Sequence, residues 1–262
     1  RPRSLREGRE AAGSGPGAEF FGKRARATMA KKTASPWLTD FERIAGGVFF
    51  LPYLIVFPLL MGWIFRGVEF LLGISLSQSE ENALYYYVAF VLTILIFYNF
   101  IGKTTHRFFS GLGHTLAAAG VGIVAFYGLN ELLYRLTSVA LGNQLNLNDI
   151  TISAQIHDAP RPTLLIVIFI APFVEEVLFR GYVFGMLRGH SRILAWGVSC
   201  VLFAFLHVWQ LAAGSWSLWT VVLLVQYLVP GLVLAWTYDR CGSLWGPILL
   251  HMAVNALSVW LN

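Results

Sequence analysis

The stretch APFVEEVLFRGYVF, residues 171–184, sets two adjacent carboxylates and a guanidinium inside an otherwise oily run. Ionisable groups in such surroundings are costly and mark ion networks, pathways or reaction sites. Successive residues of an α-helix are turned by about 100°, so Glu175 and Glu176 cannot point the same way. Glu176 and Arg180 are spaced i, i+4 and share a face suited to an ion pair. Glu175 is left without a partner on its own helix. A buried ion network accounts for the first two but not for Glu175. Pro172, just upstream, removes a backbone donor and is expected to loosen the hydrogen-bond ladder here.

Two further stretches carry polar groups in apolar surroundings. FAFLH, residues 203–207, ends on His207, and HMAVN, residues 251–255, sets His251 and Asn255 on one helical face. Taken singly, each reads more readily as polar glue between membrane helices. Depth alters the balance. At about 1.5 Å per residue, Glu175 lies about 19 Å along its helix from Arg188, and His207 about 22 Å from Arg192. His251 lies about 16 Å from Arg240 on the same measure. Three helices therefore carry ionisable groups at a similar level, which predicts one polar chamber.

Such a chamber could hydrolyse an amide bond without a covalent intermediate. A carboxylate taken out of water and given a histidine neighbour can hold and deprotonate a water molecule. A second histidine and a carboxamide on a facing helix can donate hydrogen bonds to the oxyanion that forms. A metal is the rival arrangement, with Glu175, His207 and His251 as three ligands and water in the fourth position. The chain has no HExxH motif and the constellation has no thiolate, but composition alone leaves zinc open.

The elements that must position these groups follow from composition. The 262 residues are 56% hydrophobic and only 13% charged, with a mean hydropathy of +0.63. Soluble domains carry about a quarter charged residues, so this is the composition of a polytopic all-α transmembrane helix bundle. Seven stretches approach the roughly 20 residues needed to cross a bilayer: 44–65, 83–102, 112–130, 163–187, 193–211, 216–237 and 242–261. An eighth span is the variant, the segment 67–75 being too short by itself. The loop 131–162 is the only long one expected.

The net charge of +5 does not point to nucleic acid, because ten of the 19 Lys and Arg fall in residues 1–43. That is the pattern of a cytoplasmic amino terminus facing anionic lipid, without a basic groove interleaved with aromatics. Residues 1–42 read as a basic, disordered tail, its first 28 residues lying ahead of Met29 as an upstream extension. Residues 43–162 read as the first spans and the long loop, and 163–262 as the core that carries the motifs. With the amino terminus inside, the inner loops hold Lys103, Arg107, Arg188, Arg192 and Arg240. The outer ones hold Arg66, Arg135 and Arg161 together with Glu69, Glu80, Glu81, Glu131, Asp149 and Asp158. Trp209, Trp216 and Trp219 are expected in an aromatic belt at the outer turn. Cys200 and Cys241 do not suggest a disulfide framework.

EEVLFR (175–180), FAFLH (203–207) and HMAVN (251–255) match, in order, the patterns EExxxR, FxxxH and HxxxN. The set resembles the three motifs of the CAAX-protease and bacteriocin-processing family, also called Abi, which are type II CAAX prenyl endopeptidase-like intramembrane proteases. RGYVFGML and GSLWGPILLH also look like family sequence, and the resemblance covers residues 163–262. It implies a helical membrane core with a conical cavity. Glu175 and His207 would activate water, His251 and Asn255 would stabilise the oxyanion, and Glu176 and Arg180 would support the site. The substrate implied is a membrane-embedded or lipidated peptide or protein in a bacterial cell membrane. The family was first described as metalloproteases, and a glutamate-dependent mechanism was later favoured. A partnerless Glu175 beside His207 fits the metal-free version, with no cofactor expected.

Two other classes compete. A silent membrane scaffold or bacteriocin-immunity-type protein could use the same fold to bind a partner, but would not need an unpaired Glu175. A proton-coupled transporter could use Glu and His as a relay, but no inverted repeat is evident.

Overall fold

The computed structural model describes residues 37–141, 147–212 and 218–261, so most of the expected tail lies outside it. Among the described residues there are ten helices and no strand. They are α1 Asp40–Leu51, α2 Phe57–Leu72, α3 Gln78–Ile96, α4 Tyr98–Ser110 and α5 Leu112–Leu141. α6 Leu147–Asp158, α7 Pro160–Arg188, α8 Arg192–Ala212, α9 Leu218–Cys241 and α10 Trp245–Leu261 follow. The architecture is the all-α polytopic bundle that the hydropathy pattern demands.

Four of these helices, α5, α7, α8 and α9, are individually long and apolar enough to cross a membrane. Two more spans result if each bent pair counts once, and α10, apolar but only 17 residues long, is shorter than the four single spans. The expected seven are reached only by counting both bent pairs and α10. The stretch 44–65 is not straight. It bends by 89° between α1 and α2, across Pro52 and Pro58, where missing backbone donors weaken the helix. The stretch 83–102 is also broken, by 81° at Phe97, whose φ of −102° and ψ of 21° leave the helical region.

The break at Phe97 exposes the first amides of α4, and a residue read as tail satisfies one of them. Glu42 is fully buried, and its Oε1 accepts from the Phe100 amide at 2.6 Å. Its Oε2 accepts from the Thr39 amide and hydroxyl at 2.7 and 2.8 Å, completing the capping box that starts α1. A carboxylate at a helix amino terminus is also favoured by the helix dipole. Thus α1 begins at Asp40, inside the segment expected as tail.

The expected loop 131–162 is mostly helical. Its charges interrupt the apolar window, so hydropathy reads it as a connection. Glu131 and Arg135, however, pair at 2.6 Å with the i, i+4 spacing that supports a helix, and α5 runs on to Leu141. Trp216 of the expected aromatic belt lies outside the described residues, while Trp209 stacks on Phe205. Cys200 and Cys241 are free and buried.

α7 is the centre of the bundle. Two thirds (67%) of its apolar window is buried, against 17% for α5, and Val174, Val177, Leu178, Phe179 and Phe184 are sealed from solvent. α8 and α9 make the most extensive helix contact, and α5 lies along α9 and α10. The approach of α5 is set by Gly122, where a Cβ would stand 2.6 Å from Leu250 and 2.8 Å from the Thr237 hydroxyl.

The two ends of the bundle differ. At one end Arg188 and Arg192 both donate to Asp239. There Lys103 donates to the Trp37 carbonyl, and the Ser243 hydroxyl to the Thr104 carbonyl. At the other end Ser79 donates to Asp158 at 2.6 Å and Asn82 to Gln155 at 3.3 Å, tying α3 to α6.

Candidate active site

α7 is not a regular helix. Its α-helical turns are interrupted by π turns at Ile166–Ile170 and Val177–Phe184, on either side of Ala171–Glu176. π turns are rare and frequently accompany functional sites. The first has a local cause. The Ala171 amide bonds back to the Ile166 carbonyl, skipping Val167, and the next residue, Pro172, has no N–H to offer. The Val167 carbonyl is therefore left without a backbone donor. Asn255 Nδ2, from α10, donates to it at 2.8 Å. The loosened ladder expected around Pro172 thus produces the acceptor that fixes Asn255.

Glu176 and Arg180 pair at 2.9 Å, and neither side chain is exposed. The guanidinium also donates to the Gly231 carbonyl of α9 at 3.1 Å and lies 4.4 Å from the Phe203 ring centroid. Its charge is met by a carboxylate, a carbonyl and a π face, which suits a buried Arg better than a buried Lys. His251 Nδ1 reaches the same Glu176 oxygen at 3.0 Å. A carboxylate oxygen only accepts, so Nδ1 donates and the outer Nε2 of His251 is free.

Glu175 stands apart from this network. Its Oε2 is buried and finds no hydrogen-bond partner among the described residues, and His207 Nε2 lies 4.0 Å away. His207 Nδ1 is 2.9 Å from the Phe203 carbonyl. A carbonyl only accepts, so Nδ1 carries the proton and a neutral His207 offers the lone pair of Nε2. The ring is stacked on Tyr227, centroids 4.6 Å apart, and lies 4.7 Å from the Phe203 ring. Two acceptors thus face a gap too wide for a direct hydrogen bond and of the size a bridging water fills.

Glu175, His207, His251 and Asn255 line one cavity of about 1210 Å³. Glu176 and Arg180 are not among its walls; they lie behind His251. These four residues come from α7, α8 and α10, and Gln226 and Tyr227 of α9 and Tyr53, Tyr85 and Tyr86 are among the other polar residues of the lining. Among the described residues no group of three or more His, Cys, Asp or Glu is placed to hold a metal ion. Glu175, His207 and His251 therefore do not form a ligand set in this arrangement.

Sequence reasoning missed three contributors. The Val167 carbonyl was signalled by Pro172 but not its partner. Tyr227 sits in an apolar run with nothing in its spacing to single it out. The Gly231 carbonyl follows Pro230 inside α9, and a Cβ at Gly231 would come within 3.3 Å of the Cys200 backbone, so glycine eases the close approach of α8 and α9 there.

Comparison with known proteins locates the same region. Residues 158–257 match the family model described as type II CAAX prenyl endopeptidase Rce1-like. This stretch is similar to the Rce1-like domain. It runs from the end of α6 to most of α10 and holds all six residues discussed above. The chain is also similar to the UPF0177 protein YxdF of Lactococcus lactis subsp. lactis (strain IL1403), 31% identical over 86 residues. That alignment covers 33% of this chain and 42% of the relative. No solved structure matches. Helices α1 to α5 lie outside the matched stretch, yet α3 packs on α7 and α5 on α10, so they enclose it.

Proposed function

We propose that the chain is an intramembrane endopeptidase that hydrolyses a peptide bond of a membrane-associated or lipidated substrate. The observation that carries the reading is the pair of acceptors, Glu175 Oε2 and His207 Nε2, 4.0 Å apart on the wall of a buried chamber. A water between them donates one hydrogen to each and keeps its lone pairs for the scissile carbonyl. Glu175 takes the proton as the oxygen attacks and returns it to the leaving amine. His207 orients the water, and its tautomer is set by the Phe203 carbonyl.

The oxyanion then forms on the opposite wall. One N–H of the Asn255 amide is held by Val167 and the other is available. His251, steadied by Glu176, supplies the second donor when its Nε2 carries a proton. Such donors act strongly because they are fixed before the charge develops and water is excluded. Arg180 and Glu176 take no part in proton transfer; they orient His251.

The Rce1-like family match supports peptide hydrolysis, and the unpartnered Glu175 supports a mechanism in which the carboxylate, not a metal, activates the water. The test is incubation of the purified chain, Glu175→Ala and His207→Ala with a panel of lipidated and unlipidated peptides, with and without chelator. Cleavage by the parent alone, undiminished by chelator, is the expected result. Cleavage lost to chelator and restored by zinc would overturn the metal-free mechanism. A parent protein that cuts nothing would favour a silent scaffold.

A further inference from the structure

We propose that the corner between α3 and α4 binds an anionic phospholipid, one acyl chain lying in an apolar groove and the phosphate meeting Lys103. The site is separate from the chamber and does not depend on hydrolysis there.

The groove originates in the break at Phe97. α3 is an apolar helix of 19 residues, and the chain turns by 81° before α4. With α3 upright in a bilayer, α4 lies along its surface. α4 exposes Lys103, His106 and Arg107 and buries Phe100 and Thr104, the division expected of an interfacial helix. The inside of the corner is left open, as a groove of about 590 Å³.

Most of its lining is hydrocarbon. Phe90 and Ile94 come from α3, Ile101 from α4, Phe173 from α7 and Trp245 from α10. The Phe173 ring centroid lies 5.2 Å from that of Phe90 and 6.1 Å from that of Trp245, so aromatic contact joins three helices behind the groove. The Trp245 N–H is given to the Thr105 hydroxyl at 2.8 Å, so the indole brings no free donor to it. Lipid tails are as apolar as these side chains and match such walls.

The other polar side chains of the lining all come from α4, and no Asp or Glu is among them. Lys103 gives one N–H to the Trp37 carbonyl at 3.0 Å and has two left. Arg107, one turn further along α4, lies 5.2 Å from the Trp37 ring centroid. Among the described residues neither cation pairs with a carboxylate. The acids of this end are engaged by others, Asp239 by Arg188 and Arg192 and Asp40 by Arg43. Unanswered positive charge therefore stands at headgroup level, with hydrocarbon walls beside it. An apolar helix of another protein would match the walls and leave the charge unmet. A lipid with a net negative headgroup answers both, and basic residues beside membrane helices attract such lipids.

The place of the groove gives its occupant a consequence. Phe173 lies two residues before Glu175, and Trp245 opens the helix that carries His251 and Asn255. One acyl chain there touches α3, α4, α7 and α10 together, and so braces the helices that position the site.

The test uses the full chain in detergent, offered equal amounts of phosphatidylglycerol and phosphatidylcholine with the same acyl chains. Native mass spectrometry reads the lipid retained, and thermal unfolding shows that each variant folds. One retained phosphatidylglycerol is expected, preferred about fivefold, the effect of one cation beside a headgroup. Lys103→Gln keeps a donor for Trp37 and should erase the preference. Gly102 lines the groove, and a Cβ there meets nothing within 4 Å. Gly102→Leu should therefore occupy the space and release lipid of either kind. Arg66→Ala, on α2, should change neither result. Equal retention of the two lipids by the parent, a preference that survives Lys103→Gln, or lipid that survives Gly102→Leu overturns the proposal. Displacement by the deacylated headgroup, glycerophosphoglycerol, would leave only an anion site and overturn it too. A dimer that Gly102→Leu dissociates would put a second copy of the chain in the groove instead.

Discussion

Nε2 of His207 lies 4.0 Å from Oε2 of Glu175, and the other nitrogen of that ring is held by a backbone carbonyl of its own helix. The arrangement makes both groups acceptors toward the same gap. Removing either should lower hydrolysis by about 10²–10⁴-fold, the usual contribution of general acid–base groups. Glu175→Gln should be as inactive as Glu175→Ala, since an amide fills the space but cannot take the proton. Turnover of a peptide substrate checks this, with thermal unfolding in detergent to show that each variant folds. Appreciable activity in Glu175→Gln would exclude the role given to Glu175.

Asn255 has two jobs that can be separated. As an anchor it ties α10 to the Val167 carbonyl; as an oxyanion donor it acts only while the reaction proceeds. Loss of one hydrogen bond costs about 1 kcal/mol of stability, whereas loss of an oxyanion donor costs about 10²–10³-fold in kcat. Asn255→Ala should therefore show a large fall in kcat, little change in KM and a modest drop in Tm. A variant with normal kcat and lowered Tm would leave the residue a purely structural anchor.

The Glu176–Arg180 pair is sealed from solvent, so breaking it strands a charge. Arg180→Ala should destabilise the protein by about 3–5 kcal/mol, seen as early unfolding or failure to accumulate in the membrane. Arg180→Lys should recover only part of this, because an ammonium cannot reach Glu176 and the Gly231 carbonyl with one planar fork. Full stability in Arg180→Ala would contradict the buried-pair description.

Glu42 makes a prediction far from the chamber. Glu42→Ala leaves the Phe100 amide buried and unpaired, at a cost of about 1–3 kcal/mol. Glu42→Gln keeps an acceptor for Phe100 and loses the match to Thr39, so its Tm should fall between the parent and Glu42→Ala. An equal Tm for all three would mean that Glu42 does not hold the start of α4.

Much of this was legible in the chain. The separation of Glu175 from the Glu176–Arg180 pair follows from helical geometry, and the common depth of Glu175, His207 and His251 follows from counting residues. The bends at Pro52 and Phe97 were not legible, because hydropathy averages over a window and carries no direction. Glu42 escaped for a related reason. It lies next to a basic run, and its partner is an amide 58 positions away that is free only because α4 restarts there. The helical reach of α5 past Asn130 was hidden by charges that pair along one face.

Pro172 gives the region its last lesson. Judged turn by turn, it is a flaw: it deletes a donor and drives the Ala171 amide one residue further back, to Ile166. Yet the oxygen orphaned by that flaw is the one that steadies Asn255. A residue chosen to perfect α7, such as alanine, would heal the rod and retract the Val167 carbonyl into it. The chamber wall would then lose its fixed amide while the helix gained strength, so in this rod regularity and reactivity compete for the same atom.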